Sequence, residues 1–563
     1  MSGEAPGEQA TPSLRRRGLL AAGALALAGC EAPRAIEGGF TGIAHERGHA
    51  LREPGARPAP TVTRRVHTLI AGGGVAGLAA ARALRLAGHD DFALLELEDE
   101  AGGNSRGGTL NGIACPLGAH YLPVPGDEAS EVQDLLEELG LRRRVAGRWT
   151  YDERHLCHSP QERLFFQGHW QDGLLPLQGI GPATLAQYRR FAARVEALRR
   201  ATRFSLPVTR AWTGRTPLSP VHQALDAITF EAWLAREGLD DPQLRWYLDY
   251  SCRDDYGAGL ATVSAWAGLH YFASRHGFHA PGDEALGDGG EREAVLTWPE
   301  GNAWLTRRLA APLGDRLRIG RTVLRIAETR QGVTVDALDS ATGAVERWQA
   351  AHCIVALPLF VAARVVQDPP DFLRAAARRV PHAPWLVTNL HLNQPLQDRP
   401  GAAPAWDNVL YGSSGLGYVD AMHQRLQPVP GATVLTHYQA LGDGHDARRA
   451  LLQRPWTAWR DTVLAELSTA HPDLPAKVTR MALTRYGHAM AVPVPGTLGL
   501  LSQIGQQHPS GRRRALLNGE PIAVLPTPAR GRLSFAHSDW SGYSVFEEAF
   551  TRGHHAGLRA GGR

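Results

Sequence analysis

The residues best equipped for chemistry begin at Gly72. Gly72-Gly73-Gly74-Val75-Ala76-Gly77 matches the spacing G-x-G-x-x-G. In such a run the first glycine allows a tight turn. The second lets backbone approach a pyrophosphate, and the third lets helix pack on strand. Val75 and Ala76 then stand where a helix N-terminus offers free N–H groups to phosphate oxygens. Glu96 lies 19 residues beyond Gly77, where a carboxylate can accept from ribose hydroxyls.

Those residues need particular elements around them, and the sequence supplies them. Val66–Ala71 reads as a short buried strand, Leu78–Leu86 as a helix rich in alanine and leucine ending near Gly88, and Phe92–Glu96 as a second strand. Strand, glycine turn, helix, strand and acid in register predict a dinucleotide site.

The next residues narrow the dinucleotide. Glu96 leads to Gly102-Gly103-Asn104-Ser105-Arg106, and Gly118-Ala119-His120-Tyr121 follows Pro116-Leu117. This resembles the flavin-containing amine oxidase superfamily, which also holds phytoene desaturases and protoporphyrinogen oxidases. There the Gly-Gly pair wraps the FAD pyrophosphate and an arginine usually follows it directly. Asn104 stands in that place here, and Arg106 is the nearest candidate for the arginine's role. Gly118 and Ala119 would lie beside the flavin. His120 is either a catalytic group or a packed, hydrogen-bonded histidine.

Two later blocks extend the resemblance. Gly301–Leu309, Arg321–Ile326, Val333–Ala337 and His352–Pro358 are similar to the family's middle block, in which the backbone at Val323 would meet adenine. Gly531–Tyr543 contains Trp540-Ser541-Gly542-Tyr543, similar to a monoamine oxidase motif, and runs into a helix expected from Val545 to Arg559. By that likeness Asp539 would accept from the ribitol chain, and Ser544 and Val545 would open a helix aimed at the flavin ring. Tyr543 would be one wall of an aromatic cage, or a packing tyrosine. Tyr486 or His488 would supply the other wall.

The resemblance implies an α/β fold. Its Rossmann-type FAD-binding domain would be assembled from residues 64–150, 296–365 and 516–563. Two inserts, 151–295 and 366–515, would form an α+β substrate-binding domain over the flavin. The first insert carries helix-like spacing over Ala183–Thr202, Phe230–Arg236 and Asp241–Tyr250. A polar turn over Tyr250–Gly257 and a further helix over Val263–Ser274 follow. Leu164–Trp170 reads as a hairpin turning at Gly168, and Trp385–Leu392 as sheet. Asp249, Asp254 and Asp255 are candidates for attracting a cationic substrate, or are turn carboxylates facing water. Glu300 is a further substrate candidate. No metal site is expected.

Two departures from the family bear on the chemistry. Many members place a cysteine near His488 that bonds FAD, but Arg485–Gly496 has none, so noncovalent FAD is expected, with a histidyl link through His488 as the alternative. Many also carry a lysine near flavin N5 after a Leu-Pro strand end. Leu357–Arg364 has no lysine, and Lys477 is the only lysine in the chain. Oxidase and dehydrogenase activity therefore stay open, and the electron acceptor is oxygen or a redox partner.

Composition sets outer bounds. The chain has 563 residues, a net charge of +4, 43% hydrophobic and 21% charged residues, which suits large folded cores and argues against a nucleic-acid binder. No apolar run reaches the ~18 residues that span a bilayer. Ser13–Leu20 holds Arg15-Arg16-Arg17 before a short apolar stretch ending Leu27-Ala28-Gly29-Cys30. That layout resembles a twin-arginine signal with a lipoprotein box at Cys30. It predicts an export signal over 1–30, use of the twin-arginine machinery, a tether over 31–63 and a lipid-anchored location in the periplasm or on the outer face of the cytoplasmic membrane. Four cysteines would remain, Cys115, Cys157, Cys252 and Cys353, with the last expected as a buried thiol.

The first reading is an exported FAD enzyme oxidising an amine or polyamine. The alternatives are an FAD desaturase or dehydrogenase of a lipid or isoprenoid, and a flavin-binding electron-transfer protein.

Overall fold

The computed structural model describes residues 3, 35–52, 58–157, 161–211, 218–275, 277–282, 294–424, 430–508, 514–517 and 520–561. Cys30 and the rest of the expected export signal, Gly3 apart, lie outside them. No helix among the described residues is long and apolar enough to cross a membrane.

Two eight-stranded sheets organise the chain. In the first, Val62–Ala71 runs parallel to Phe92–Leu95 on one side and to Val345–Val355 on the other. Val333–Asp339 and Arg321–Glu328 continue the sheet antiparallel. Leu533–Phe535 adds a strand beside Cys353–Val355. Leu69, Ile70 and Ala71 are fully buried because helices cover one face and other apolar segments the other.

The alanine-rich helix is Val75–Leu86, and it packs on the carboxy-terminal helix Phe546–Gly561. A Cβ on Gly553 would stand 1.9 Å from the Ala76 carbonyl oxygen, and one on Gly557 2.4 Å from that of Ala80. Small residues on both helices are therefore a condition of their contact.

The second sheet orders its strands Glu37–Thr41, Val478–Ala491, His382–Leu392, Thr433–Ala440, Tyr418–Asp420, Asp407–Leu410, Glu162–Phe166 and His169–Asp172. The hairpin turns at Gln167 and Gly168, both at positive φ (51° and 83°), as a tight right-twisting hairpin requires. Helices Pro182–Ala201, Phe230–Arg236, Pro242–Tyr256 and Ala265–Ala273 pack beside it.

Three expectations need correction. Within the segment expected as a tether, Glu37–Thr41 is a strand and His45–His49 and Ala50–Arg52 are helical turns. Glu37–Thr41 pairs in parallel with Arg480–Thr484, and the Ala44 N–H donates to Glu98 at 3.2 Å. Its end also joins the first sheet at Val62, because pairing with Glu346 carries that strand outward. The expected polar turn over Tyr250–Gly257 is instead the last turns of Pro242–Tyr256. Gly257 ends that helix in the left-handed region at φ 73°. The layer on the first sheet also extends past residue 365, since Phe372, Leu373, Leu501 and Ile504 share a core with Val335 and Trp348. Cys115, Cys157, Cys252 and Cys353 are all buried thiols.

Gly553→Val is expected to lower the unfolding free energy by about 1–3 kcal/mol or more, as overpacking does. Denaturant unfolding of the purified protein checks this, and an unchanged midpoint would contradict the helix contact.

Candidate active site

A cavity of about 460 Å³ lies between the two sheets. One end is the glycine turn. Gly72 sits at φ 102°, where a Cβ would meet the Ala356 oxygen at 2.4 Å. Gly77 underlies the turn, and a Cβ there would meet the Gly72 oxygen at 1.9 Å. Gly74 differs from both. A Cβ there would meet only Gly103 Cα, at 3.8 Å, so the space in front of it belongs to the cavity. Gly74 caps the helix with no side chain, which leaves the first helical N–H groups, those of Val75 and Ala76 among them, facing that space. Gly102 and Gly103, at φ 138° and 59°, close the opposite side. This cradle fits a pyrophosphate.

Glu96 ends its strand beside the cradle. Its carboxylate accepts the Gly73 N–H at 2.7 Å and the Glu98 N–H at 2.8 Å, and burial pushes its carboxyl upward. Val323 lines the same end, at a bulge where pairing shifts between Val323 and Arg325.

The second sheet holds the middle of the cavity in place. Tyr486 donates to the Leu117 oxygen at 2.8 Å and Tyr438 to the Gly118 oxygen at 3.0 Å. Ala119 N–H donates to the Asn104 oxygen at 2.8 Å, and the Asn104 amide donates to Ala489 at 2.6 Å. His120 stacks on Tyr438 at 4.3 Å, and burial lowers its imidazole to about 3. His488 packs tilted against Phe360 at 4.4 Å and is also lowered to about 3, by burial and then Arg448. Both rings are therefore neutral at pH 7.

The carboxy-terminal block supplies Asp539, Ser544 and Val545. Asp539 is 1% exposed. It accepts the Leu359 N–H at 2.9 Å, and His382 Nε2 and His537 Nδ1 lie 2.9 and 3.1 Å from its oxygens. Burial acts to raise its carboxyl, but the two histidines outweigh that and hold it well below the usual range. Ser544 Oγ accepts the Ala491 N–H at 2.9 Å, joining this block to the second sheet.

The far end is acidic and aromatic. Asp254, Asp255 and Glu547 line it, with Arg275 as their guanidinium, and Tyr121, Trp385 and Tyr438 form walls. Arg275 binds Asp255 at 3.0 Å. Burial and then Asp255 raise the Asp254 carboxyl to about 7, and burial raises Glu547 to about 7. Asp254 and Asp255 thus lie on the last helical turn facing inward, not in a turn facing water.

Several candidates lie elsewhere. Arg106 does not line the cavity; it turns to the Gly42 carbonyl and to Glu98 at 3.4 Å, drawn by that carboxylate. Tyr543 is fully buried outside the cavity. It donates to Asp255, accepts from Arg275 at 2.6 Å and packs against Tyr256 at 5.1 Å, so it positions acids instead of walling a cage. Glu300 is not among the lining residues. Asp249 pairs with Arg253 at 3.0 Å and accepts the Leu260 N–H. Sequence reasoning missed Tyr121, Arg275, His382, Trp385, Tyr438 and Glu547. Only Glu547 had a local signal, an acid in the first turn of the expected helix.

The flavin containing amine oxidoreductase family matches residues 75–557. The chain belongs to that family; it is an FAD-dependent oxidoreductase and its cofactor is FAD. An L-amino acid dehydrogenase of Synechocystis is 26% identical over 324 residues, which is 57% of this chain and 61% of that protein. The chain thus matches about three-fifths of that relative's length. Among solved structures, putrescine oxidase bound to putrescine superposes with a TM-score of 0.62 at 18% identity, covering 88% of this chain and 98% of that one. A fatty acid isomerase from P. acnes reaches 0.56 at 15% identity, covering 87% and 97%. Such likenesses speak to the fold alone.

The cradle would hold the FAD pyrophosphate, Glu96 its ribose and Asp539 its ribitol. Gly74→Val is expected to give a folded protein that purifies without yellow colour, because its side chain fills cofactor space and touches little else. A yellow, FAD-loaded variant would contradict this placement. Gly77→Val should instead unfold the domain.

Proposed function

We propose that the protein oxidises a cationic amine or polyamine. The observation that supports this reading is the charge of the cavity's far end: Asp254, Asp255 and Glu547 against one guanidinium, Arg275, within aromatic walls. Such an interior favours a cation, and aromatic faces add to that preference.

Bound FAD supplies the acceptor for a hydride equivalent from the carbon beside nitrogen. The chain's own groups prepare that carbon. Asp254 and Glu547 hold the ammonium, and a carboxylate near 7 is matched to taking its proton, which leaves a neutral amine. Tyr121, Trp385 and Tyr438 exclude water and orient the chain of the substrate. His120 is neutral and so adds no competing charge.

With no lysine over 357–364, oxygen and a redox partner are equal candidates for the acceptor. Lys477 pairs with Asp473 at 2.7 Å and lies outside the cavity wall. The same absence supports a second reading, oxidation of a lipid or isoprenoid without an amine. Noncovalent FAD belongs to either reading, because no cysteine stands near His488.

The test is anaerobic. Flavin absorption is followed while monoamines and polyamines are added. Bleaching by an amine is expected, and affinity should rise as pH passes upward through about 7, because Asp254 is neutral below that value and charged above it. Asp254→Asn should flatten this profile and weaken binding by about tenfold or more, the scale of a charge-assisted hydrogen bond. If every amine leaves the flavin oxidised while dithionite reduces it, the lipid reading takes over.

Export and lipid anchoring rest on Arg15-Arg16-Arg17 and Cys30 in the sequence. Cys30→Ser is expected to move the protein from the membrane fraction to the soluble fraction of cells. Unchanged fractionation would remove the anchor from the proposal.

A further inference from the structure

A second cavity, of about 500 Å³, lies against the outer side of Tyr486 and His488. The amino-terminal segment taken from the sequence as a tether forms one of its walls, through Ile43, His45, His49, Leu51 and Arg52. That wall is pinned. Its strand pairs with Arg480–Thr484, Arg47 binds Asp99 at 2.8 Å, and Arg364 donates to the Leu51 oxygen at 2.8 Å. The glycine cradle is not part of this cavity.

Its charge is the reverse of the first cavity's. Arg52, Arg364, Arg448, Arg449 and Arg485 line it, against one carboxylate, Glu98. Glu98 is already committed to Arg106 at 3.4 Å and to the Ala44 N–H. Of these five, only Arg449 has an ion-pair partner among the described residues, Asp446 at 3.6 Å. Three guanidiniums are instead held by backbone carbonyls. Arg448 donates to Gly487 at 2.8 Å and to His382 at 2.6 Å, Arg485 to Leu452 at 3.0 Å, and Arg364 to Leu51. Carbonyls fix orientation without neutralising charge. Each guanidinium carries five N–H donors, so donors remain. Burial, with Arg52 beside it, lowers the Arg448 guanidinium despite Asp443, and burial lowers Arg485 despite Glu46.

His45, His49 and His445 also line the cavity, and its floor is apolar. Leu97, Phe360, Val361, Leu451 and Leu452 contribute to it. Positioned guanidinium forks beside an apolar floor suit a ligand with an oxyanion head and a hydrocarbon body. A bare inorganic ion would leave the floor unused. An amphiphilic cation would meet five guanidiniums against one carboxylate.

We propose that this second cavity binds an organic oxyanion, a carboxylate or phosphate head on an apolar body, through Arg52, Arg448 and Arg485. His488 and Tyr486 line both cavities, so the occupant touches the wall of the flavin site without entering it. The proposal stands apart from the choice of substrate.

The test is calorimetric titration of the FAD-loaded enzyme with octanoate, octyl phosphate, inorganic phosphate and octylamine. Saturable binding of octanoate or octyl phosphate is expected, and comparison of the two identifies the head group. Arg52 makes no ion pair among the described residues, and Arg52→Gln should weaken binding by about tenfold at unchanged flavin content. Arg448→Gln should weaken it at least as much. Failure of both amphiphiles to bind, equal binding by inorganic phosphate, competition by octylamine, or affinity unchanged in both variants would each overturn the proposal.

Discussion

Everything in this protein leans on how closely backbone can approach the helix Val75–Leu86. On one flank Gly77 lies against the Gly72 carbonyl, where a Cβ would stand at 1.9 Å. On the other, Gly553 lies against the Ala76 carbonyl at the same notional distance. The helix is clamped between its own strand and the last helix of the chain. Only glycine and alanine permit that. The clamp aims the helix N-terminus at the cavity and leaves the space before Gly74 empty. A residue more than 470 positions downstream thereby shapes the cradle that would hold the cofactor's phosphates.

The second dependence is the seam between the sheets. The Asn104–His120 segment belongs by sequence to the cofactor cradle, yet tyrosine hydroxyls of the second sheet fix it. Tyr486 and Tyr438 bind its carbonyls, and Asn104 binds back to Ala489. Backbone groups in such a loop need partners once buried. Here those partners carry the aromatic walls with them, so satisfying the loop and building the pocket are one event. Charge is sorted across the same seam. Carboxyls collect at the far end of the first cavity and guanidiniums around the second, with Tyr486 and His488 between them.

Some residues did not go where family likeness would send them. Arg106 stands two residues past Asn104 and was the nearest arginine to the Gly-Gly pair. A nearby carboxylate, Glu98, and the Gly42 carbonyl draw it the other way. Tyr543 sits in the motif of a cage aromatic, but Asp255 and Arg275 capture its hydroxyl. A buried phenol takes the strongest partner within reach, and here that was a charged pair. The sequence left Asp254 and Asp255 between substrate acids and turn carboxylates facing water; the helix Pro242–Tyr256 turns them inward to the cavity.

Much was legible in the sequence alone. The glycine spacing, the strand on either side, Glu96 and the terminal helix are local patterns, and local patterns survive into structure because backbone geometry enforces them. The dinucleotide cradle and the α/β class follow from these. What the sequence could not show is which distant side chains meet. Tyr121, Arg275, Trp385, Tyr438 and Glu547 share no spacing, and nothing short-range marks them as neighbours. The strand within the expected tether was equally hidden, because Gly38 and Gly39 lack strand propensity and pair only against Met481 and Ala482. Cavity walls and their charge are sums over elements remote in the chain. Tertiary packing alone decides them, because desolvation and partner choice exist only once those elements are brought together.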